Sequence, residues 1–246
     1  MRGLIIGFAV AAPLLLIMLW PHAPLAGIGI LALSHALLLY PTLRPNVQWL
    51  GPVVTAFEPN DKEIWLTIDD GPTEDTRDIL EVLEARGAKA TFFVKGTLAR
   101  ARPDLIRAIL DRGHTVGNHS DTHPSAAFWC LLPAALAAEI DGCAAAIPPT
   151  LWFRAPVGMK NPGVHPALRR RGMRLIGWSV RGFDTIGDDV GRVVRRIAPR
   201  VFPGAIVVLH QGRPMSTSCV ARVVDELRAR GYSLVVPADE RLKTKR

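Results

Sequence analysis

Cysteine is scarce in this chain: Cys130, Cys143 and Cys219 are the only three among 246 residues, and no two form a CxxC pair. An odd, widely spaced set matches no zinc ribbon and implies no disulfide framework, so small buried or half-buried thiols are expected. No run of basic residues is interleaved with stacking aromatics, which argues against nucleic acid as a partner. There is no internal repeat, and the alanine-rich stretch at 134–146 is better read as helix than as low complexity. Acidic residues are missing altogether from positions 1–40, where Arg2 is the sole basic residue. Nothing in the pattern points to an obligate protein partner.

What is present divides the chain in two. Residues 3–20 form an unbroken apolar run, and residues 25–40 form a second, interrupted only by Ser34 and His35. At about 1.5 Å per helical residue, the first reaches about 27 Å and the second about 24 Å, close to a hydrocarbon core of ~30 Å. Pro21-His22-Ala23-Pro24 between them suits only a tight turn. Trp20 and Tyr40 fall at run ends, where amphipathic aromatics favour the interface. No A-x-A-like cleavage site closely follows the first run, so an anchor over 1–44 is expected in preference to a cleaved leader. Arg2 and Arg44 flank the pair on one side, and the turn carries no Lys or Arg. Positive-inside logic then favours a hairpin with the following domain on the cytoplasmic face. The net charge of +8 and the basic end at 241–246 fit either an anionic membrane surface or plain solvation.

After a proline-punctuated linker at 45–60, strand-like runs alternate with helical ones over 61–240. Strands are expected at 63–68, 90–94, 115–118, 152–153, 175–180, 206–209 and 233–236. Helices are expected at 76–86, 103–112, 133–147, 166–171, 189–197 and 219–230, the first two closed by Gly87 and Gly113. This is an α/β pattern with parallel pairing through right-handed crossovers, a distorted (β/α) barrel of about seven units. In such folds reactive groups gather at the C-terminal ends of strands. The polar residues found there are Asp69-Asp70, Asn118-His119, Arg154, Arg181 and His210.

Four segments carry chemistry. Thr67-Ile68-Asp69-Asp70-Gly71-Pro72 puts two carboxylates at a strand end, one free to face a metal while the other faces substrate. His119-Ser120-Asp121-Thr122-His123 spaces two imidazoles four apart, as on one face of a helical turn. With one carboxylate they make an Asp/His/His set suited to a divalent ion such as zinc, with open positions for water and substrate. Arg154-Ala155-Pro156-Val157-Gly158 offers a guanidinium for a nearby carboxylate and backbone N–H groups for a developing oxyanion. His210, after the apolar run 206–209, is placed to act as a general acid.

Together with Lys89-Ala90-Thr91-Phe92-Phe93-Val94 and Gly96, these segments, in this order and spacing, resemble the polysaccharide deacetylases, or NodB-homology domain, over roughly residues 60–237. The resemblance implies a metal-dependent hydrolase of carbon–nitrogen bonds other than peptide bonds. Such an enzyme removes N-acetyl, and in some members O-acetyl, groups from amino-sugar glycans or glycolipids. By that similarity Asp69 is the general base, Asp70, His119 and His123 are the metal ligands, Arg154 holds Asp69, and His210 is the general acid. Val157 offers its N–H to the oxyanion where the family usually has tyrosine. In Gly177-Trp178-Ser179-Val180-Arg181-Gly182-Phe183-Asp184, Arg181 stands where an aspartate is usual, so the acidic partner that tunes the His210 acid is either Asp184 or absent. Gln211 replaces a frequent aspartate. An O-acetyl esterase, an N-deformylase acting on a lipid-linked sugar, and a silent membrane-bound glycan-binding protein are the alternatives. An anchored position in a bacterial inner membrane is expected.

Overall fold

The computed structural model describes residues 1–244. Two apolar helices open it, α1 (Arg2–Leu19) and α2 (Pro24–Leu43). They pack against each other so closely at Gly27 that an added Cβ would lie 2.8 Å from the Leu16 side chain, the small-residue contact common between apolar helices. The remaining elements are β1 (Val54–Phe57), β2 (Glu63–Gly71), α3 (Thr76–Glu84), β3 (Ala90–Val94), α4 (Gly96–Ala101), α5 (Pro103–Asp111), β4 (Thr115–Asn118), α6 (Pro133–Ala144) and β5 (Trp152–Phe153). They continue with α7 (Val164–Arg169), β6 (Arg174–Leu175), β7 (Val180–Arg181), α8 (Val190–Ile197), β8 (Ile206–His210), α9 (Ser216–Ala229), β9 (Ser233–Leu234) and β10 (Leu242–Thr244).

Local signals explain most helix ends. Proline occupies the first turn of α2, α5 and α6, where its missing N–H costs nothing. Four helices stop at a glycine with positive φ: Gly87, Gly113, Gly172 and Gly231. In each case the next N–H returns to a carbonyl five residues back, Ala88 to Leu83, His114 to Ile109, Met173 to Leu168 and Tyr232 to Leu227. This closure satisfies otherwise orphaned carbonyls and needs a residue tolerant of the left-handed region.

The parallel strands run in the order β6-β5-β4-β3-β2-β8-β7, with β9 joined to the start of β2. This is the expected (β/α) barrel, open in its hydrogen bonding. The strand expected at 175–180 is instead split into β6 and β7. Its first half pairs with β5 and its second with β8, so one continuous stretch of chain bridges the two edges of the sheet. No helix separates the halves because none is needed to reach the next strand position. The segment expected as a linker also contains structure. β1 pairs antiparallel with β10, which brings 242–244 of the basic end into a packed ribbon; residues 245–246 lie outside the described residues.

Alternation along the strands sorts side chains between two cores. Ile64, Leu66, Ile68, Phe92, Val94, Val207 and Leu209 face the outer helices. Trp65, Phe93, Ile206 and Val208 fill the barrel interior. Period two then carries the interior row upward from Trp65 through Thr67 to Asp69, and from Ile206 through Val208 to His210. Fully burying each such apolar side chain stabilises by roughly 1.5–3 kcal/mol, so this alternation holds the register that positions the polar residues above it.

Candidate active site

In the parallel pairing of β2 with β8, Asp69 stands opposite His210. Adjacent parallel strands lie about 4.8 Å apart, so register alone places these two groups side by side at the barrel mouth. In a regular strand, Asp70 would point to the opposite face from Asp69. It does not, because the β2–β3 register shifts between Asp69 and Gly71, and Asp70 adopts φ 79°. An extra residue in a bulge turns its side chain, and both carboxylates line one cavity of about 280 Å³.

The two histidines arrive differently from the helical turn expected of their spacing. Residues 119–123 form a loop in which Ser120 and His123 have φ 65° and 56°. The Asn118 Oδ1 accepts from the Ser120 N–H (2.9 Å), and the Ser120 Oγ accepts from the His123 N–H (3.1 Å). Side-chain acceptors thus hold a conformation that backbone hydrogen bonding alone would not select. Gly96 lets this loop approach, since a Cβ there would run into the Asp121 carboxylate, and it lets α6 pack close, with the Cys143 Cα 2.6 Å from that Cβ.

Asp70, His119 and His123 each present a ligand atom within 4.8 Å of the other two. The His119 Nδ1–H donates to the Arg154 carbonyl at 2.8 Å, which leaves its Nε2 bare. Burial lowers the pKa of both imidazoles, that of His123 to about 4, so both are neutral at neutral pH and competent as ligands. Burial would raise the Asp70 carboxyl, but His119, Lys95 and His123 outweigh it and hold it well below the usual carboxylate range. Its Oδ1 is buried and forms an ion pair with the Lys95 ammonium at 2.9 Å. Two bare nitrogens and a carboxylate oxygen converging on one point fit a divalent cation.

Asp69 borders this set, its Oδ2 3.8 Å from the His119 Nε2, but its other oxygen is taken by Arg154. The Arg154 Nη1 donates to its Oδ1 at 2.7 Å and to the Thr67 Oγ1 at 2.7 Å. The other guanidinium nitrogens donate to the carbonyls of Ile176 (3.3 Å) and Gly177 (2.9 Å). The group stacks 4.2 Å from the centroid of Phe93. Both partners are buried, so removing either leaves an uncompensated interior charge.

His210 has the partner that the sequence left open. Its Nδ1–H donates to the Asp184 Oδ1 at 3.0 Å, and its backbone N–H donates to the Oδ2 at 2.7 Å. Burial lowers the His210 pKa, but the hydrogen bond and charge of Asp184 outweigh it and raise the pKa overall. Arg181 is not part of this pair. Its guanidinium lies over Trp178 and Phe183, 5.6 and 4.8 Å from their centroids, on the cavity wall. Val157 also lines the cavity at φ 47°, a strained conformation for a β-branched residue.

Ser125, Trp178, Thr185 and Arg213 also line the wall, and of these only Trp178 lies within a segment singled out from sequence. The rule of strand ends does reach Lys95, which directly follows β3. A larger depression of about 430 Å³ adjoins the cavity around Thr73, Asp75, Arg102 and Arg213. Asp69, Asp70, His119, His123 and His210 do not line it.

The sequence profile of the polysaccharide deacetylase family matches residues 57–176. A chitooligosaccharide deacetylase of Bradyrhizobium sp. is 35% identical over 191 residues, covering 73% of this chain and 85% of its own. A peptidoglycan-N-acetylglucosamine deacetylase of Bacillus cereus is 30% identical over 213 residues, covering 80% and 96%. Among solved structures, a family 4 carbohydrate esterase from Streptomyces lividans in complex with acetate matches with a TM-score of 0.68 at 27% identity, over 73% of this chain and 95% of that one. A family 4 pseudoenzyme from Bacillus anthracis matches at 0.67 and 27%, over 76% and 68%. The chain belongs to the polysaccharide deacetylase (NodB-homology) family.

Proposed function

We propose that this protein is a membrane-anchored, metal-dependent deacetylase that hydrolyses the N-acetyl group of an amino sugar in a glycan or glycolipid. The observation that carries the reading is the separation of two carboxylates by one bulge: Asp70 joins His119 and His123, while Asp69 is locked by Arg154 beside His210. A divalent ion held by Asp70, His119 and His123, with zinc suited to that donor set, supplies Lewis acidity toward the acyl carbonyl and toward water.

The chain's own groups do the rest. Asp69, an acceptor fixed by Arg154, takes a proton from the attacking water. The Val157 N–H donates to the oxygen that gains negative charge as the carbonyl becomes tetrahedral. Protonated His210, sustained by Asp184, gives the Nε2 proton to the departing nitrogen. Acetate and a free amine leave. The complete acid, base and ligand set supports an active enzyme over a silent glycan-binding relative, a distinction that fold alone does not make, since a pseudoenzyme shares the fold.

The anchor is α1 with α2. At about 1.5 Å per residue they reach about 27 and about 30 Å, enough for a hydrocarbon core, and both are largely apolar and exposed. A bacterial inner membrane, with the domain on the side of Arg2 and Arg44, is the reading that their charge supports. The test is metal analysis with acetate release for the wild type and His119→Ala. Bound metal near one per chain and acetate release are expected for the first and loss of both for the second. Equal activity without His119, or after chelation, refutes the mechanism.

A further inference from the structure

Three observations converge on the rim of the cavity. The first concerns charge. Arg181 and Arg213 both line the cavity, and among the described residues neither lies within 4.0 Å of a carboxylate, unlike the arginines that form the surface ion pairs. The Arg181 Nε is buried without a hydrogen-bond partner, while its guanidinium is fixed by stacking on Trp178 and Phe183. A rigid, unpaired guanidinium aimed into a cavity beside a second one forms a receptor for an anionic group, and its planar fork suits phosphate.

The second concerns apolar exposure. Seven large apolar side chains after residue 44 remain exposed. Four of them, Leu132, Val157, Phe183 and Ile186, stand on the three loops that also carry His123, Gly158 and Thr185 to the cavity. The other three, Leu110, Leu151 and Phe202, lie on segments that do not line it.

The third concerns position. The end of α2 is bolted to the cavity wall. Lys160, wholly buried, donates from its backbone N–H to the Thr42 carbonyl (3.1 Å) and from its Nζ to the carbonyls of Arg44 (2.7 Å) and Pro45 (2.9 Å). This places a cation on the negative end of the helix. The Asn46 side chain donates to the Trp178 carbonyl at 2.6 Å, and Pro45 packs where a Cβ on Gly158 would lie 2.6 Å from it. Neighbouring Asn161 holds the Leu131 carbonyl at 3.0 Å, which ties the Leu132 loop to the same junction. If α2 crosses a bilayer, this junction sits at the bilayer surface and brings the Leu132 and Val157 loops with it.

We infer that the substrate of this site is an amino sugar joined to a membrane lipid through a phosphodiester, with Arg181 and Arg213 receiving the phosphate and the Leu132–Val157–Phe183–Ile186 rim meeting the lipid. The inference rests on the proposed deacetylase and anchor. The test uses full-length protein in phosphatidylcholine vesicles and three forms of one N-acetylhexosamine: a neutral oligosaccharide, a water-soluble methyl phosphodiester, and an isoprenoid phosphodiester in the same vesicles. The kcat/KM for acetate release is expected to rise about tenfold at each step. In Arg181→Met/Arg213→Met the ratio of methyl phosphodiester to neutral sugar is expected to fall about tenfold, while Arg181→Lys retains part of it. Should Arg181→Met melt early, the exposed Arg213→Met carries the comparison. Leu132→Ser/Ile186→Ser is expected to lower only the gain from the isoprenoid.

No preference for phosphodiesters, or one that survives loss of both arginines, overturns the phosphate site. A methyl phosphodiester as good as the isoprenoid overturns the lipid contact. Failure of all three sugars to lose acetate refutes the deacetylase reading instead.

Discussion

Replacing Asp184 by asparagine tests the acid assignment with almost no change in shape. Both carboxylate oxygens accept from His210, one from the Nδ1–H and one from the backbone N–H. Asparagine has one acceptor and one donor group. Its oxygen can keep the backbone contact only if its amide donates to a bare Nδ1, which locks the ring in the neutral Nε2–H tautomer. The imidazolium that delivers a proton then loses both its partner and its compensating charge. General acid catalysis is worth about 10²–10⁴-fold, so a fall in kcat of about 10²-fold, about 2.7 kcal/mol at 1.36 kcal/mol per decade, is expected with the metal still bound.

The sign of the pH effects follows from the raised pKa of His210. In the wild type the acid stays protonated to higher pH than an ordinary histidine, so the alkaline limb of kcat/KM should move to lower pH in the variant. Stability behaves in parallel. A raised folded-state pKa contributes stability that is complete below the unfolded value, about 6.5, and is lost as pH rises through the folded value. The wild type should therefore exceed the variant in melting temperature more at pH 5.5 than at pH 9. Acetate release across pH 5–10, with parallel melting curves, checks both. An unmoved alkaline limb with kcat within twofold of wild type would refute the assignment of His210 as acid.

Other substitutions probe the rest of the site. Arg154→Met leaves the buried Asp69 carboxylate without its partner, and a loss of about 3–5 kcal/mol in urea unfolding is expected, with acetate release abolished. Arg154→Lys should recover only part of that stability, since one ammonium cannot reproduce contacts to Asp69, Thr67, Ile176 and Gly177. Val157→Gly removes a side chain from a conformation at φ 47° that costs a β-branched residue about 1–3 kcal/mol. The N–H remains, so melting temperature should hold or rise and kcat should stay within a few-fold; a hundredfold loss would show that the side chain itself acts. Native-state alkylation should label Cys130 alone, because Cys143 and Cys219 are buried and burial pushes both thiols up to about 12. Intact mass measured before and after unfolding reads this out.

Much of this protein was already legible in the chain. Local chemistry decided the helices, because proline at first turns and glycine at C′ act within a few residues. Alternating apolar patterns decided the central strands, and strand-end polarity marked Asp69, Asp70, His119, Arg154 and His210 without any contact map. Two apolar runs marked the helical hairpin.

Tertiary structure alone decided how these residues are arranged against one another. A bulge at Asp70 is a property of two paired strands, so no single-strand pattern reveals that adjacent carboxylates share one cavity. The 119–123 spacing suited a helical turn, yet side-chain acceptors on Asn118 and Ser120 select a loop instead. The stretch 175–180 reads as one strand, but its two halves pair with opposite edges of the sheet, which only barrel closure imposes. The segments at 45–60 and 241–244 looked like a linker and a tail because β1 and β10, nearly 190 residues apart in sequence, have no pattern of their own until they meet. For the same reason Asp184 became the partner of His210, and Arg181 and Arg213 became neighbours in a cavity, only when distant loops converged. Sequence determined which chemical groups stand at the strand ends, because that order is local. Folding determined which of them touch, because contact depends on register, bulges and loops that bring remote residues together.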